Sequence, residues 1–236
     1  MRLWQQAKSD DAKGVAFPAP PRRGMVRWYD PGLWLSTGVQ VFVSTALGQR
    51  FDYRMMEDNA GIQDAFDYTC WERKRDEKGD PVAFCFDYLA DTGDGWNSTH
   101  AVASLVGEEE LPVGDQRLPR GRFLVLGGDE VYPSASKQNY AERLVAPFET
   151  AMPFTDLVGQ DMFAVPGNHD WYDGLVSFSR FFTPRGRIGG WATVQSRSYF
   201  AVRLPYGWWL WAVDIQLESD IDLGQRRYFS DIGEKL

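Results

Sequence analysis

Downstream of Pro81 the chain alternates short apolar runs with segments of helical periodicity. The runs, residues 82–90, 123–126 and 162–165, are rich in β-branched and aromatic side chains, and each leads into a loop containing Gly and Asp. Helices are expected at about residues 98–106, 135–150 and 175–182, one after each run. Strand, loop and helix in that order predict parallel βαβ units and an α/β fold. The rhythm then changes. Residues 197–204 and 208–215 read as strands, and Pro205-Tyr206-Gly207 between them predicts an antiparallel hairpin. Alternation in the second of these strands sends Trp209 and Trp211 to one face and Trp208 to the other. A sheet packed on a helix is expected there, with an interface or substrate-contact surface as the alternative.

Upstream of Pro81 the pattern is different. Residues 1–24 mix charge with a Pro-rich stretch and hold no continuous apolar core of the signal-peptide kind, so they are expected to be a flexible lead-in. Residues 31–49 are uncharged, with Asp30 as N-cap and Pro31 at the first helical position. Ser36, Thr37, Gln40, Ser44, Thr45 and Gln49 argue against a bilayer span, so a helix packed on the domain or a partner is expected and membrane association is the alternative. A charged segment at 71–81 reads as loop or linker. The expected organisation is thus a lead-in at 1–24, a helical and linker region at 25–80, and an α/β domain at 81–236.

The chain has 236 residues, 44% of them hydrophobic, enough for a substantial core. Its formal net charge of -8, without a long basic run, makes nucleic acid an unexpected stable partner. Cys70 and Cys85 form no CxxC pair, and reduced thiols in the cytoplasm are the expectation. No motif bears on oligomeric state.

The three loops carry the chemistry. They read Asp91-Thr92-Gly93, Gly127-Gly128-Asp129-Glu130-Val131-Tyr132 and Pro166-Gly167-Asn168-His169-Asp170. The interval from Asp91 to Asp129, and that from Asp129 to Asn168, can each hold one crossover, for which roughly 30 residues are needed. Right-handed crossovers would set the loops side by side at the carboxyl edge of the sheet, where open α/β proteins bind ligands. Converging oxygens with imidazole or phenolate suit hard or borderline cations. Singly, each motif has a plainer reading: Asp91 as a turn residue, and Tyr132 as a phenol packed under its loop.

The ordered set Asp91-x-Gly93, Gly128-Asp129-x-x-Tyr132 and Gly167-Asn168-His169-Asp170 resembles the calcineurin-like metallophosphoesterases over about residues 82–215. Their first motif is usually Asp-x-His. Gly93 in place of that His, together with Tyr132, is similar to the purple acid phosphatase branch, in which a Tyr phenolate is a ligand. The resemblance implies a four-layer α/β/β/α sandwich with mixed sheets and a pair of Fe, Mn or Zn ions. It implies that Asp91 and Tyr132 hold the first metal, Asp129 bridges both and Asn168 holds the second. His169 would face a phosphomonoester or phosphodiester substrate, with Asp170 as its orienting partner. Family members supply three further ligand histidines after the third motif, whereas the two histidines here are His100 and His169. Two expectations stand side by side: a fragment of a longer hydrolase, or an inactive binding or scaffold domain.

Of the neighbouring residues, Asp94 and Asn97 are expected to support the site, with Asn97 or Ser98 capping the next helix as the alternative. His100 is expected to be structural or solvent-facing. Asp87 and Asp214 are ambiguous on residue type, and Trp171 and Tyr172 are expected to shape the pocket wall or anchor the next helix.

Overall fold

A computed structural model describes residues 21–48, 63–154, 160–215 and 221–235; residues 1–20 of the expected lead-in lie outside that set. The fold is mixed α/β. In chain order the strands are β1 (Phe66–Asp67), β2 (Asp87–Leu89), β3 (Glu110–Val113), β4 (Gln116–Pro119), β5 (Phe123–Leu126), β6 (Gln160–Ala164), β7 (Gly186–Ile188), β8 (Trp191–Thr193), β9 (Phe200–Arg203) and β10 (Trp209–Ala212). The helices are α1 (Pro31–Gly48), α2 (Trp96–Gly107), α3 (Lys137–Asn139), α4 (Ala146–Ala151), α5 (Val176–Phe182) and α6 (Leu223–Gly233). A π-helical stretch, Tyr140–Val145, joins α3 to α4, so the expected helix at 135–150 runs nearly its full length.

Strand β5 is apolar without interruption because both its faces are covered; all four residues are buried. It lies between β2 and β6, parallel to both, in a five-stranded sheet of order β2-β5-β6-β8-β7 in which only β7 is antiparallel. On one face Leu124, Leu126, Met162 and Ala164 pack against Ala103, Leu144, Phe148, Phe178 and Phe182 of the helices. On the other face Phe123, Val125 and Phe163 meet Phe200, Val202 and Ala212 of a second sheet. That second sheet has the order β1-β9-β10, and its far side carries Ala201 against Tyr228, Phe229 and Ile232 of α6.

The predicted hairpin forms: β9 pairs antiparallel with β10, Trp211 opposite Ala201. The second strand is shorter than expected, Trp209–Ala212, with Trp208 just outside it and 73% exposed; within it Trp209 and Trp211 pack toward α6, Trp211 stacking on Phe229, and Leu210 packs on the other side. The run at 82–90 is corrected, because only Asp87–Leu89 pairs with β5; Phe84 and Phe86 instead pack on the Phe123 ring. Residues upstream of 81 also enter the fold, with β1 pairing in parallel with β9, Phe66 opposite Val202.

Helix α1 forms where the uncharged stretch predicts it. Leu33, Thr37 and Val41 are its half-buried positions and share one face, and the helix meets the turn Asp170–Asp173. Trp34, Leu35, Val39 and Phe42 are exposed. No helix among the described residues is long and apolar enough to cross a membrane.

Candidate functional site

The loops after β2, β5 and β6 leave adjacent parallel strands at the same sheet edge and are stitched together by their backbones. Asp91 N donates to Gly128 O at 3.0 Å, and Tyr132 N to Gly93 O at 3.3 Å. Asp91 and Asp129 both adopt the left-handed region, with φ of 55° and 53°, a conformation that non-glycine residues rarely hold without support from their surroundings. Close approach excludes a side chain at two glycines. A Cβ on Gly93, whose φ is +64°, would lie 2.1 Å from Glu130 O, and one on Gly167 would lie 2.2 Å from Asp129 Oδ1.

The side chains converge on the phenol of Tyr132. Its Oη is 2.6 Å from Asp91 Oδ1 and 3.0 Å from Asp129 Oδ2. Burial first, then hydrogen bonding to Asp91 and the charge of Asp129, holds the phenol protonated well above its ordinary range. The other oxygen of Asp129, Oδ1, accepts from the backbone N of His169 at 2.9 Å, so the third loop is tied to the second. Asn168 stands on that third loop, its Nδ2 donating to Tyr172 Oη at 3.2 Å.

The His169 ring is fixed from one side. Its Nδ1 lies 2.7 Å from the carbonyl oxygen of Pro133, which can only accept, so Nδ1 carries the proton and Nε2 is left for a ligand. The rings of Tyr132 and Tyr172 flank it, with centroids at 4.6 Å and 4.8 Å.

Asp170 does not orient this histidine. It is fully buried beneath the loops, accepting from Gly167 N at 2.9 Å, from Glu130 N at 3.2 Å and from the hydroxyl of Tyr140. Burial pushes its carboxyl up to about 7 although these hydrogen bonds pull the other way. Glu130 is also fully buried; its Oε1 accepts from Gly128 N at 3.2 Å and its Oε2 has no partner among the described residues. Burial and the charge of Asp170 hold Glu130 well above the usual carboxylate range.

Glu130 and Tyr140 were not candidates from sequence. A second carboxylate directly after Asp129 in a glycine-rich loop was the available signal for Glu130. Nothing in the spacing pointed to Tyr140. Trp28 was missed as well, although its indole sits edge-on to both Tyr132 and His169, with centroids at 5.5 Å and 6.1 Å. It lies far upstream, in what reads as linker.

The surrounding residues take supporting places. Asp94 Oδ1 accepts from Val26 N at 3.3 Å, and α2 is capped at Gly95, not at Asn97 or Ser98. His100 stacks on Trp96 at 4.8 Å, and Asp87 Oδ2 accepts from Gly121 N at 2.9 Å. Asp214 is fully buried and accepts from Trp171 Nε1 at 2.9 Å and from Ser198 Oγ at 2.6 Å, which anchors the third loop to the second sheet.

Two carboxylates and a phenol from two loops meet as oxygen donors of the kind that hard or borderline cations take; the Asn168 amide stands on the adjoining third loop, bonded to Tyr172. Among the described residues no group of three or more His, Cys, Asp or Glu stands placed to hold a metal ion. No protein-family model matches the chain, and no curated protein or solved structure matches it.

Proposed function

We propose that the site belongs to a metal-dependent phosphoric ester hydrolase of the calcineurin-like kind, in its purple-acid-phosphatase-like form. The observation that carries this reading is the meeting of Tyr132 Oη with the carboxylates of both Asp91 and Asp129. The glycine at 93 supports it independently. Backbone of the facing loop fills the space where a side chain at 93 would begin, and Tyr132 on that same loop delivers the donor from the other direction. The succession of helices, five-stranded sheet, three-stranded sheet and helix α6 agrees with an α/β/β/α sandwich.

In this reading Asp91, Asp129, Tyr132 and Asn168 would hold the metals. A pair of Fe, Mn or Zn ions would supply Lewis acidity toward a phosphoryl oxygen and lower the pKa of a water. The chain's own contribution is positional. Asp129 is held by the backbone of His169, and the proton on Nδ1 of His169 is committed to Pro133, so Nε2 is the atom that takes up or delivers a proton at the ester oxygen. Glu130 and Asp170, both held above the usual carboxylate range by burial, accept from the backbone amides of Gly128 and Gly167.

One observation favours a second reading, a metal-free binding or scaffold domain. The single phenol proton of Tyr132 bridges the gap between the two carboxylates without a cation, 2.6 Å from Asp91 Oδ1 and 3.0 Å from Asp129 Oδ2 as measured from the phenol oxygen. Phosphate release from an aryl phosphate, assayed after loading with Mn, Zn or Fe, separates the two. The hydrolase reading expects turnover that Asp129→Asn abolishes; metal-independent absence of turnover and of phosphate binding supports the scaffold.

A further inference from the structure

We propose that Trp28 is the specificity-determining wall of this site and selects phosphoric esters whose leaving group is a planar aromatic ring. The inference rests on the hydrolase reading above.

Residues 22–30 form a strap fastened across the shoulder of the first-motif loop. Val26 N donates to Asp94 O at 3.1 Å, and Trp96 N donates to Arg23 O at 2.9 Å. Arg143 Nη1 donates to Gly24 O at 3.2 Å and to Asp94 O at 2.6 Å, and Arg23 pairs with Glu142 at 2.5 Å. Past Trp28 the chain turns into α1, with Asp30 N donating to Arg27 O at 2.9 Å and the indole N–H of Trp34 donating to Trp28 O. The backbone of Trp28 is therefore held from both sides, and its ring sits edge-on to Tyr132 and His169.

The ring closes an aromatic border. Trp28, Tyr132, His169 and Tyr172 follow one another with centroid separations of 5.5, 4.6 and 4.8 Å. His169 handles the proton at the ester oxygen, so the group attached to that oxygen must lie beside His169 and within reach of Trp28. Trp28 remains 39% exposed on a backbone held at both ends, which leaves indole surface beside Tyr132 and His169 for a ligand ring to cover. An aliphatic ester offers that surface no matching face.

The test compares two non-hydrolysable probes on the metal-loaded chain, benzylphosphonate and ethylphosphonate, in which a methylene replaces the ester oxygen. Affinities are read by calorimetry. Wild type is expected to prefer the benzyl compound by roughly five- to tenfold, the scale of one aromatic pair. Trp28→Leu and Trp28→Ala bring the ratio toward one, Trp28→Phe keeps most of it, and Tyr29→Ala, at a neighbouring residue 93% exposed, leaves it as in wild type. A ratio unchanged in Trp28→Leu, a ratio near one in wild type, or its loss in Tyr29→Ala overturns the assignment of Trp28. Failure of both phosphonates to bind wild type overturns the hydrolase reading and this inference with it.

Discussion

Tyr132 donates to Oδ1 of Asp91 at 2.6 Å across 41 positions of sequence, and the same phenol oxygen lies 3.0 Å from Oδ2 of Asp129. Three oxygen donors from two strand ends are thus gathered around one point. Without a cation the phenol keeps its proton, because burial and two carboxylates oppose its ionisation; a bound cation reverses that balance.

Tyr132→Phe removes this donor and leaves the ring packing in place. Metal affinity is expected to fall by at least roughly tenfold. With ferric iron the wild type should show visible phenolate-to-iron absorption that the variant lacks. Colourless iron-loaded wild type would remove Tyr132 from the ligand set.

Gly167→Ala places a methyl group 2.2 Å from Asp129 Oδ1 and 2.3 Å from Asp129 N, so the second-motif loop must move. The expected stability loss is about 1–3 kcal/mol, accompanied by weaker metal binding. Gly174→Ala is the comparison: its φ is +69° and nothing lies within 4 Å, so it should cost about 1–2 kcal/mol of backbone strain and spare the metal site. Denaturant unfolding and metal titration of both variants decide whether the close approach at Gly167 matters to the site.

In the metal-free protein, burial raises the Asp170 carboxyl from 3.8 to about 7 and also raises that of Glu130. The native state therefore keeps protons that the unfolded chain has already released. Stability present below the ordinary carboxylate range is lost as pH rises through about 7. Denaturant midpoints should fall across that window, and Asp170→Asn should flatten the fall. A midpoint that climbs with pH over the same range would contradict the buried, neutral state of these groups.

Asp214→Ala removes the carboxylate that accepts from the buried indole N–H of Trp171 and from the hydroxyl of Ser198. A loss of about 1–3 kcal/mol is expected from breaking this buried network. Hydrogen exchange should report loosening of the third loop, through Trp171, before the sheet itself opens.

The parallel strands, the helices after them and the hairpin were legible because their apolar periods are local. The Gly-bounded loops were legible as a group because their spacing matches crossovers. Strand β1 was not, since two residues carry no period and its partner β9 lies far along the chain. The hairpin of β3 and β4 was marked only by Gly114-Asp115, inside a charged stretch. At the site, the three loops that bring Asp91, Asp129 and Tyr132 together were legible as motifs, but the place of Asp170 was not. Its residue type suits an orienting partner equally well, and only the packing shows it turned away from His169 toward Gly167, Glu130 and Tyr140. Trp28 was invisible because its position depends on backbone bonds from the strap to Asp94, Trp96 and Arg143, which leave no periodic trace.

The most direct test is anomalous diffraction from crystals of the chain soaked with Mn or Zn. The hydrolase account predicts a peak at coordination distance, about 2.0–2.2 Å, from an oxygen of each of Asp91, Asp129 and Tyr132. Metal bound elsewhere, or an intact Tyr132 to Asp91 hydrogen bond with no peak beside it, would contradict it.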